Sequence, residues 1–192
     1  MESLSFSIMH RAVVHGGLRW LLAVLSVSTG ACVTPSVAHL EIVEPFRLQL
    51  HYAPAWFGTI VLPPGRVTAE LQYAGDACET LLGRFAVRGK VVLVDRGRCS
   101  FVQKAVHAEQ AGALAVIIAN DSNEYFIMTD DGTKRQVKVH SFLIAKADAD
   151  RIKSRLPCAP GQTTLCDPDA SHSIQVAFGL GFQTRAHYKI SA

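Results

Sequence analysis

Four cysteines are the side chains of this 192-residue chain that are best suited to covalent chemistry. A fifth, Cys32, lies in an N-terminal segment that we expect to be cleaved off, which leaves Cys78, Cys99, Cys158 and Cys166. Four cysteines allow three pairings. The short separation of Cys158 and Cys166 favours a local disulfide, which would leave Cys78 to pair with Cys99.

A reactive thiol at Cys99 is the functional alternative to that disulfide. Cys99 stands directly before a predicted helix, beside Arg96 and Arg98. Positive charge and a helix N-terminus both lower the pKa of a thiol and so favour the nucleophilic thiolate. Disulfides are the usual state of cysteines in exported proteins, so the sequence favours the bridge and keeps a thiol-disulfide enzyme as the alternative.

A polar turn follows the apolar run at residues 91–94, and it is the candidate ligand site. The turn joins a predicted strand to a predicted helix, where free backbone N–H groups and the helix dipole favour an anion or a carbonyl group. Arg96 and Arg98 would add bidentate hydrogen bonds to a carboxylate. The alternative is that Gly97 and Cys99 fix a turn and a crosslink while both arginines are solvated, because a helix N-terminus needs no ligand. The predicted recognition surface comprises Asp95, Arg96, Gly97, Arg98 and Cys99, with the nearby loop at residues 120–124.

The other polar residues match no catalytic or metal-binding pattern. Asp130 and Asp131 are followed by Gly132, which is typical of a solvated turn rather than a calcium loop. His107 and His140 have no serine or cysteine partner at a spacing that would identify a triad. Neither the cysteines nor the histidines show zinc-site spacing. The sequence therefore predicts no catalytic residue, no metal and no cofactor.

Asn120, Asp121 and Ser122 form an N-glycosylation sequon directly after a predicted strand. In a eukaryotic exported protein, Asn120 is therefore a predicted glycosylation site.

The elements that must position these residues are a strand, a helix and a second strand between Lys90 and Asn120. Residues 91–94 form an apolar run that is typical of a strand buried on both faces. Ser100 is a suitable N-cap for the following helix and Gly112 a suitable end, with Gln103, Lys104, His107 and Gln110 on the polar side of the helix. Residues 114–119 form a second apolar run, so the unit predicts a right-handed crossover between parallel strands.

Weaker patterns before and after this unit predict the remaining elements. Alternating or apolar runs indicate strands at residues 40–52, 57–62, 67–73, 137–144, 173–178 and 182–190, and a second helix at residues 148–156.

Composition and charge favour a single globular domain without a nucleic-acid partner. The chain is 49% hydrophobic and 18% charged, which is enough for one good core. The formal net charge is only +3, and the lysines and arginines are scattered without interleaved aromatic residues.

The first 38 residues have the pattern of a signal peptide. Basic residues accompany an apolar stretch at residues 18–27, and Ser36, Val37 and Ala38 fit the small-x-small rule for cleavage after Ala38. Cleavage after Ala31 is the alternative. The apolar stretch is short for a membrane span, so we predict a signal peptide at residues 1–38 and a secreted or endomembrane-lumenal domain at residues 39–192, with no stable membrane span.

The segment from Gly89 to Asn120 resembles the core signature of the protease-associated (PA) domain family. The resemblance rests on the run from Gly89 to Val94, on the run from Arg96 to Phe101, on Lys104 and Ala108, and on the run from Ala111 to Asn120. Downstream, residues 140–144 and 148–156 resemble the next strand and helix of the family, and Ala77 with Cys78 resembles its upstream cysteine. Two positions depart from the family: His140 stands where a proline is usual, and Ala149 where a glycine commonly opens the second helix.

The resemblance implies an α+β fold. It would be a PA-domain-like curved, partly closed β-sheet or sandwich with two flanking helices and a central β-α-β unit, whose core is at residues 42–156 and whose C-terminal strand extension is at residues 157–192. The resemblance also implies a disulfide between Cys78 and Cys99. In sorting receptors of the family, the loop that corresponds to residues 96–99 lies near bound cargo peptide.

Members of this family are non-catalytic modules found in proteases, in sorting receptors and as small secreted glycoproteins. The resemblance therefore implies a non-catalytic secreted or lumenal PA module that binds a protein or peptide, such as sorting cargo. An accessory subunit that modulates a separate protease is the second hypothesis. A small thiol-disulfide enzyme that uses Cys99 is the third.

Overall fold

A mixed sheet of eight strands carries two helices in the part of the chain that the structure describes. The computed structural model describes residues 37–83, 85–157 and 166–181. The elements in chain order are β1 (Val37–Glu44), β2 (Leu48–Gln49), β3 (Ala53–Pro54), β4 (Gly65–Tyr73), β5 (Val91–Asp95), α1 (Phe101–Gln110), β6 (Ala115–Ala119), β7 (His140–Ile144), α2 (Lys146–Lys153) and β8 (Gln175–Gly181). Across the sheet the order is β2-β1-β8-β4-β5-β6-β7-β3.

The centre of the sheet is the predicted β-α-β crossover. Strands β4, β5, β6 and β7 are parallel neighbours, and α1 connects β5 to β6. The Ser100 side chain accepts a hydrogen bond from the backbone N–H of Gln103, as expected of an N-cap. Gly112, with φ at 82°, follows the last turn of α1 in the left-handed conformation that glycine adopts without strain. The predicted strand, helix and second strand are therefore confirmed.

The sheet separates two hydrophobic cores because successive side chains of a strand point to opposite faces. Val92 and Val94 pack against α1 on one face, whereas Val91 and Leu93 lie in the core that includes Ile152 of α2 on the other. All four β5 valine and leucine side chains are fully buried, as their continuous apolar run predicted.

Antiparallel pairing of β8 with both β1 and β4 closes part of the sheet into a curl. The result is a half-barrel of mixed strands with two helices, which confirms the predicted α+β class and its curved, partly closed sheet.

Several predicted elements differ from the structure. Residues 40–52 form two antiparallel strands, with Ile42 opposite Leu48, because Pro45 interrupts the extended run. Residues 57–62 lack strand pairing, although Phe57 and Leu62 are buried. Helix α2 lies at Lys146–Lys153 and not at residues 148–156. Strand β7 begins at His140, three residues after the start of the strand predicted at residues 137–144. The predicted strand at residues 182–190 lies outside the described residues.

The start of β1 bears on the predicted signal cleavage. Val37 and Ala38 already pair with Gly181 and Leu180 of β8. Cleavage after Ala38 would remove these two residues from the sheet, whereas cleavage after Ala31 would leave β1 whole. The rest of the predicted signal peptide lies outside the described residues. Within those residues, no helix combines the length and the apolar character that crossing a membrane requires.

Candidate recognition site

The loop between β5 and α1 is joined to the loop after β4 by a disulfide. Cys78 and Cys99 are bonded, with their Cα atoms 5.6 Å apart, which confirms the predicted bridge. Cys166 is also disulfide-bonded. Cys158, its predicted partner, lies outside the described residues.

Arg96 connects the β5–α1 loop to the loop after β6. Its Nη1 donates hydrogen bonds to Asn120 Oδ1 at 2.7 Å and to Asp121 Oδ1 at 2.8 Å. The guanidinium also lies 4.9 Å from the ring centroid of Phe126, within the range of a cation–π contact. The structure therefore brings together two parts of the predicted recognition surface, Arg96 and the loop at residues 120–124.

Arg98 is more exposed than Arg96, and its side chain reaches the loop after β4. Its backbone φ is 59°, and its Nη1 lies 2.8 Å from Oδ2 of Asp76. A hydrogen bond from the backbone N–H of Cys78 lowers the pKa of Asp76, and the positive charge of Arg98 lowers it further. The arginines are thus not simply solvated, because each one already pairs with a carboxylate of its own chain.

Asp95 belongs to a different surface from the other predicted site residues. Its carboxylate accepts hydrogen bonds from the Tyr73 hydroxyl, at 2.5 Å, and from Lys153 Nζ of α2. Burial raises the pKa of Tyr73, and the hydrogen bond to Asp95 raises it further. Since side chains alternate along β5, Asp95 faces α2 and is not available to a ligand at Arg96.

Lys104 is the residue that the sequence analysis misplaced. We expected it on the polar side of α1, but it is fully buried. Its Nζ donates to the backbone oxygens of Asp76 at 2.5 Å and Gly97 at 2.8 Å. The signal that would have found it is helical spacing, because Lys104 shares one face of α1 with the buried Ala108 and Ala111.

Two further side chains of α1 hold the loop that Lys104 contacts. His107 Nδ1 lies 2.8 Å from the Ala77 oxygen, and Gln103 Nε2 donates to the Cys78 oxygen at 3.1 Å. With Lys104 on the Asp76 oxygen, α1 binds three consecutive backbone carbonyls. The polar side chains of Gln103, Lys104 and His107 therefore face the loop at residues 76–78 and do not point into solvent.

The N-terminus of α1 already has a carboxylate of its own chain beside it. Ser100 Oγ donates to Asp131 Oδ2 at 2.5 Å, and this hydrogen bond lowers the pKa of Asp131, as do those from Thr133. Asp130 accepts from the backbone N–H of Gly132, as in an ordinary turn. The prediction of a solvated turn was therefore right for the exposed backbone at residues 130–133 but missed the contact of Asp131 with α1.

Asn120 is 3% exposed and is hydrogen-bonded through both ends of its amide. Its Nδ2 donates to Ser122 Oγ and to the Glu124 oxygen, while its Oδ1 accepts from Arg96. Glycosylation at Asn120 stays a prediction, and a glycan on Nδ2 would have to displace these hydrogen bonds.

The remaining histidine and acidic side chains within the described ranges are the other possible metal ligands. Among the described residues, no three His, Cys, Asp or Glu side chains stand close enough to hold a metal ion. His140 opens β7, and its Nδ1 is buried without a hydrogen-bond partner. Burial lowers the pKa of His140, which favours the neutral ring.

The PA domain family model matches residues 57–152, half of the chain. This segment contains β4 to β7, all of α2 except its last residue, and all the residues of the predicted recognition surface. The chain therefore belongs to the PA domain family.

Two curated relatives show where similar sequences occur. The chain is 35% identical over 96 residues to Signal peptide peptidase-like 4 of Oryza sativa subsp. japonica, and 36% identical over 114 residues to Vacuolar-sorting receptor 7 of Arabidopsis thaliana. The matches cover 49% and 53% of this chain but only 17% of each relative. The chain thus matches less than a fifth of the length of either protein.

The fold is similar to part of an aminopeptidase from Aneurinibacillus sp. strain AM-1. The TM-score is 0.54 at 24% sequence identity, over 76% of this chain and 31% of that chain. At this level of identity the likeness concerns the fold alone.

Proposed function

We propose that this chain is a non-catalytic PA module that binds a peptide or protein segment at the surface between the β5–α1 loop and the loop after β6. The observation that carries this proposal is the position of Arg96. Asn120, Asp121 and Phe126 hold its guanidinium in one place, yet its side chain remains 35% exposed. A pre-positioned cation binds a carboxylate or carbonyl at a small entropic cost, and the planar guanidinium has donors left over.

The surroundings of Arg96 suit a peptide better than a small ion. Asp121 is 67% exposed in its side chain, and Tyr125 and Ile127, which flank Phe126 in the chain, are 45% and 47% exposed. Charged, aromatic and aliphatic groups are therefore exposed on the loop after β6. An extended segment with an acidic and an apolar side chain would find a partner for each.

The family and the predicted export support the same role. One relative is named as a vacuolar-sorting receptor, and we take the receptor role in that name as support for a protein ligand here. We place the chain in the secretory lumen or outside the cell because of its predicted signal peptide and the disulfide between Cys78 and Cys99. On this proposal the functional unit is the single domain at residues 39–192.

Peptide capture by the full chain tests the proposal. The probe is an array of synthetic peptides with and without acidic side chains and free C-terminal carboxylates. We expect Arg96→Ala to weaken binding of the best peptides at least about tenfold, as loss of a central charged contact does. Arg155→Ala is the matched control, because Arg155 also lies over an aromatic ring, at 4.3 Å from the Phe46 centroid, but on the α2 side. Undiminished capture by a variant that lacks both Arg96 and Arg98 would refute this site.

An accessory role beside a separate protease is the second candidate, and the name of the peptidase-like relative favours it. It would require that the chain co-purifies with a protease and changes its substrate preference. A chain that captures peptides but leaves the cleavage pattern of any co-purified protease unchanged is a binding module alone.

A further inference from the structure

Lys104 has an environment that a structural lysine rarely has. It is fully buried, and none of the carboxylates in the described residues forms an ion pair with it. Its ammonium instead contacts two backbone oxygens and both sulfur atoms of the disulfide, with Nζ 3.4 Å from Cys78 Sγ and 3.4 Å from Cys99 Sγ. Burial of an ammonium without a direct ion pair is costly, and a negatively charged group in contact with Nζ would offset that cost.

A thiolate is the partner that this position would accept. When a disulfide is opened, the sulfur that leaves carries a negative charge, and a nearby ammonium stabilises it. Because Nζ is equally distant from both sulfurs, the leaving thiolate faces Lys104 whichever sulfur is attacked. Both cysteine residues are partly exposed to solvent.

We propose that the Cys78–Cys99 bridge is a site of reversible thiol–disulfide exchange with an external dithiol, and that Lys104 stabilises the thiolate that is released. This goes beyond the binding role proposed above and does not depend on it.

The exchange has two balanced steps. A thiolate of the external dithiol attacks one sulfur of the bridge and forms a mixed disulfide, while the Cys78–Cys99 bond breaks and its electron pair goes to the other sulfur. The second thiol of the reagent loses its proton and attacks the mixed disulfide, which closes the reagent into a disulfide and frees the second protein sulfur. The protein gains two electrons, the dithiol loses two, and one protein sulfur is protonated while the other pairs with the ammonium of Lys104.

Contacts other than the disulfide also hold the two loops together, so we expect the fold to persist when the bridge is reduced. The loop at residues 76–78 stays attached to α1 through the three carbonyl contacts of Lys104, His107 and Gln103. Arg98 also ties Asp76 to the β5–α1 loop across the bridge. The reduced protein should therefore keep its structure, so that the bridge can close again on the same two sulfurs.

The first test measures the redox equilibrium of the bridge in the full chain. The protein is equilibrated with oxidised and reduced dithiothreitol at a series of ratios, thiols are trapped by alkylation, and Cys78 and Cys99 are quantified by peptide mass mapping. At a pH about one unit above the ordinary thiol pKa of roughly 8.5, we expect Lys104→Met to shift the equilibrium about tenfold toward the disulfide, since one pKa unit of thiolate stabilisation corresponds to that factor where the thiolate predominates. Gln103→Met is the control, because it removes an uncharged contact to the same loop and should leave the equilibrium within about twofold. Equal shifts in the two variants, or no shift in Lys104→Met, would overturn the proposal.

The second test needs no variant and stands even if Lys104→Met fails to fold. The reduced wild-type protein is alkylated with iodoacetamide over a range of pH, and the rate at Cys78 and Cys99 is followed separately. Burial lowers the pKa of Lys104; of the charged groups that act on it, Asp76 and Asp95 favour its charge and Arg98 opposes it. We expect one of the two thiols to titrate at least about one unit below the ordinary value of roughly 8.5. Two thiols that titrate at or above that value would refute the role of Lys104.

Discussion

Both helices bring a lysine to the carboxyl end of β5, and the two lysines have opposite surroundings. At the α2 end, which we define as Tyr73, Asp95 and Lys153, the ammonium meets a carboxylate that a phenol also holds. At the α1 end, which we define as residues 76–78, residues 97–99 and Lys104, the ammonium meets carbonyl oxygens and sulfur. The α2 end is neutralised within the chain and serves stability. The α1 end keeps positive charge, and it shares residues 97–99 with the proposed recognition surface.

The largest expected effect is the loss of the bridge at the α1 end. A double change of Cys78 and Cys99 to alanine opens a loop of 21 residues, which by the chain-entropy estimate costs about 3 kcal/mol of unfolding free energy. Urea denaturation of wild type and variant measures the difference. A loss below about 1 kcal/mol would mean that the hydrogen bonds from α1 to the carbonyl oxygens hold the two loops almost without the bridge. The α1 end would then differ from the α2 end in the surroundings of its lysine and not in the stability that its disulfide provides.

The next effect breaks the α2 end. Lys153→Met removes the charged donor from Asp95 and leaves its partly buried carboxylate with the Tyr73 hydroxyl, so we expect a loss of about 2 kcal/mol. Lys146→Met is the matched control, because Lys146 pairs with Asp150 on an exposed face of the same helix and should cost less than about 0.5 kcal/mol. Equal losses of stability for Lys153→Met and Lys146→Met in thermal or urea unfolding would show that the ion pair of Lys153 with Asp95 contributes no more than an exposed pair.

The N-termini of the two helices also differ in their capping. Ser100 caps α1, whereas the N-cap of α2, Ala145, offers no side-chain hydrogen bond. Ser100→Ala should therefore cost about 1 kcal/mol of stability. Ser154→Ala, at the exposed C-terminus of α2, should change the same unfolding curve by much less. A cost near zero for Ser100→Ala would mean that Asp131 alone compensates for the lost cap.

The smallest effect is a pH dependence at the α2 end. The folded state raises the pKa of Tyr73 above its ordinary value of 10.0, so folded protein retains a proton that unfolded protein releases. This contribution to stability is complete below about pH 10 and is lost as the pH rises further. Stability of Tyr73→Phe should therefore fall less steeply than that of wild type above that pH. Burial also raises the pKa of Tyr125, which is more exposed, so Tyr125→Phe should change the alkaline slope in the same direction but by less. Identical alkaline slopes for wild type and Tyr73→Phe would contradict the assignment.

Local signals in the sequence were sufficient for the central unit. The apolar run of β5, the Ser100 cap and Gly112 all act within a few residues, so their pattern predicts β5, α1 and β6 within one or two positions. The hairpin of β1 and β2 was missed because alternation continues on both sides of Pro45, and only pairing across the sheet reveals the turn. The loop at residues 57–62 has strand composition but no neighbouring strand to pair with in the described part of the chain.

The sequence by itself determined the PA family, the crossover at the centre of the sheet and the cysteines of the bridge, because each depends on residue types at short, regular spacing. Only the tertiary structure decided which charges are satisfied. Arg96 meets Asn120, Arg98 meets Asp76, and Lys104 reaches Asp76 and both sulfurs, and most of these partners lie more than 20 residues away in the chain. Such contacts leave no periodic trace in the sequence, since they arise when the sheet brings separate loops to one edge.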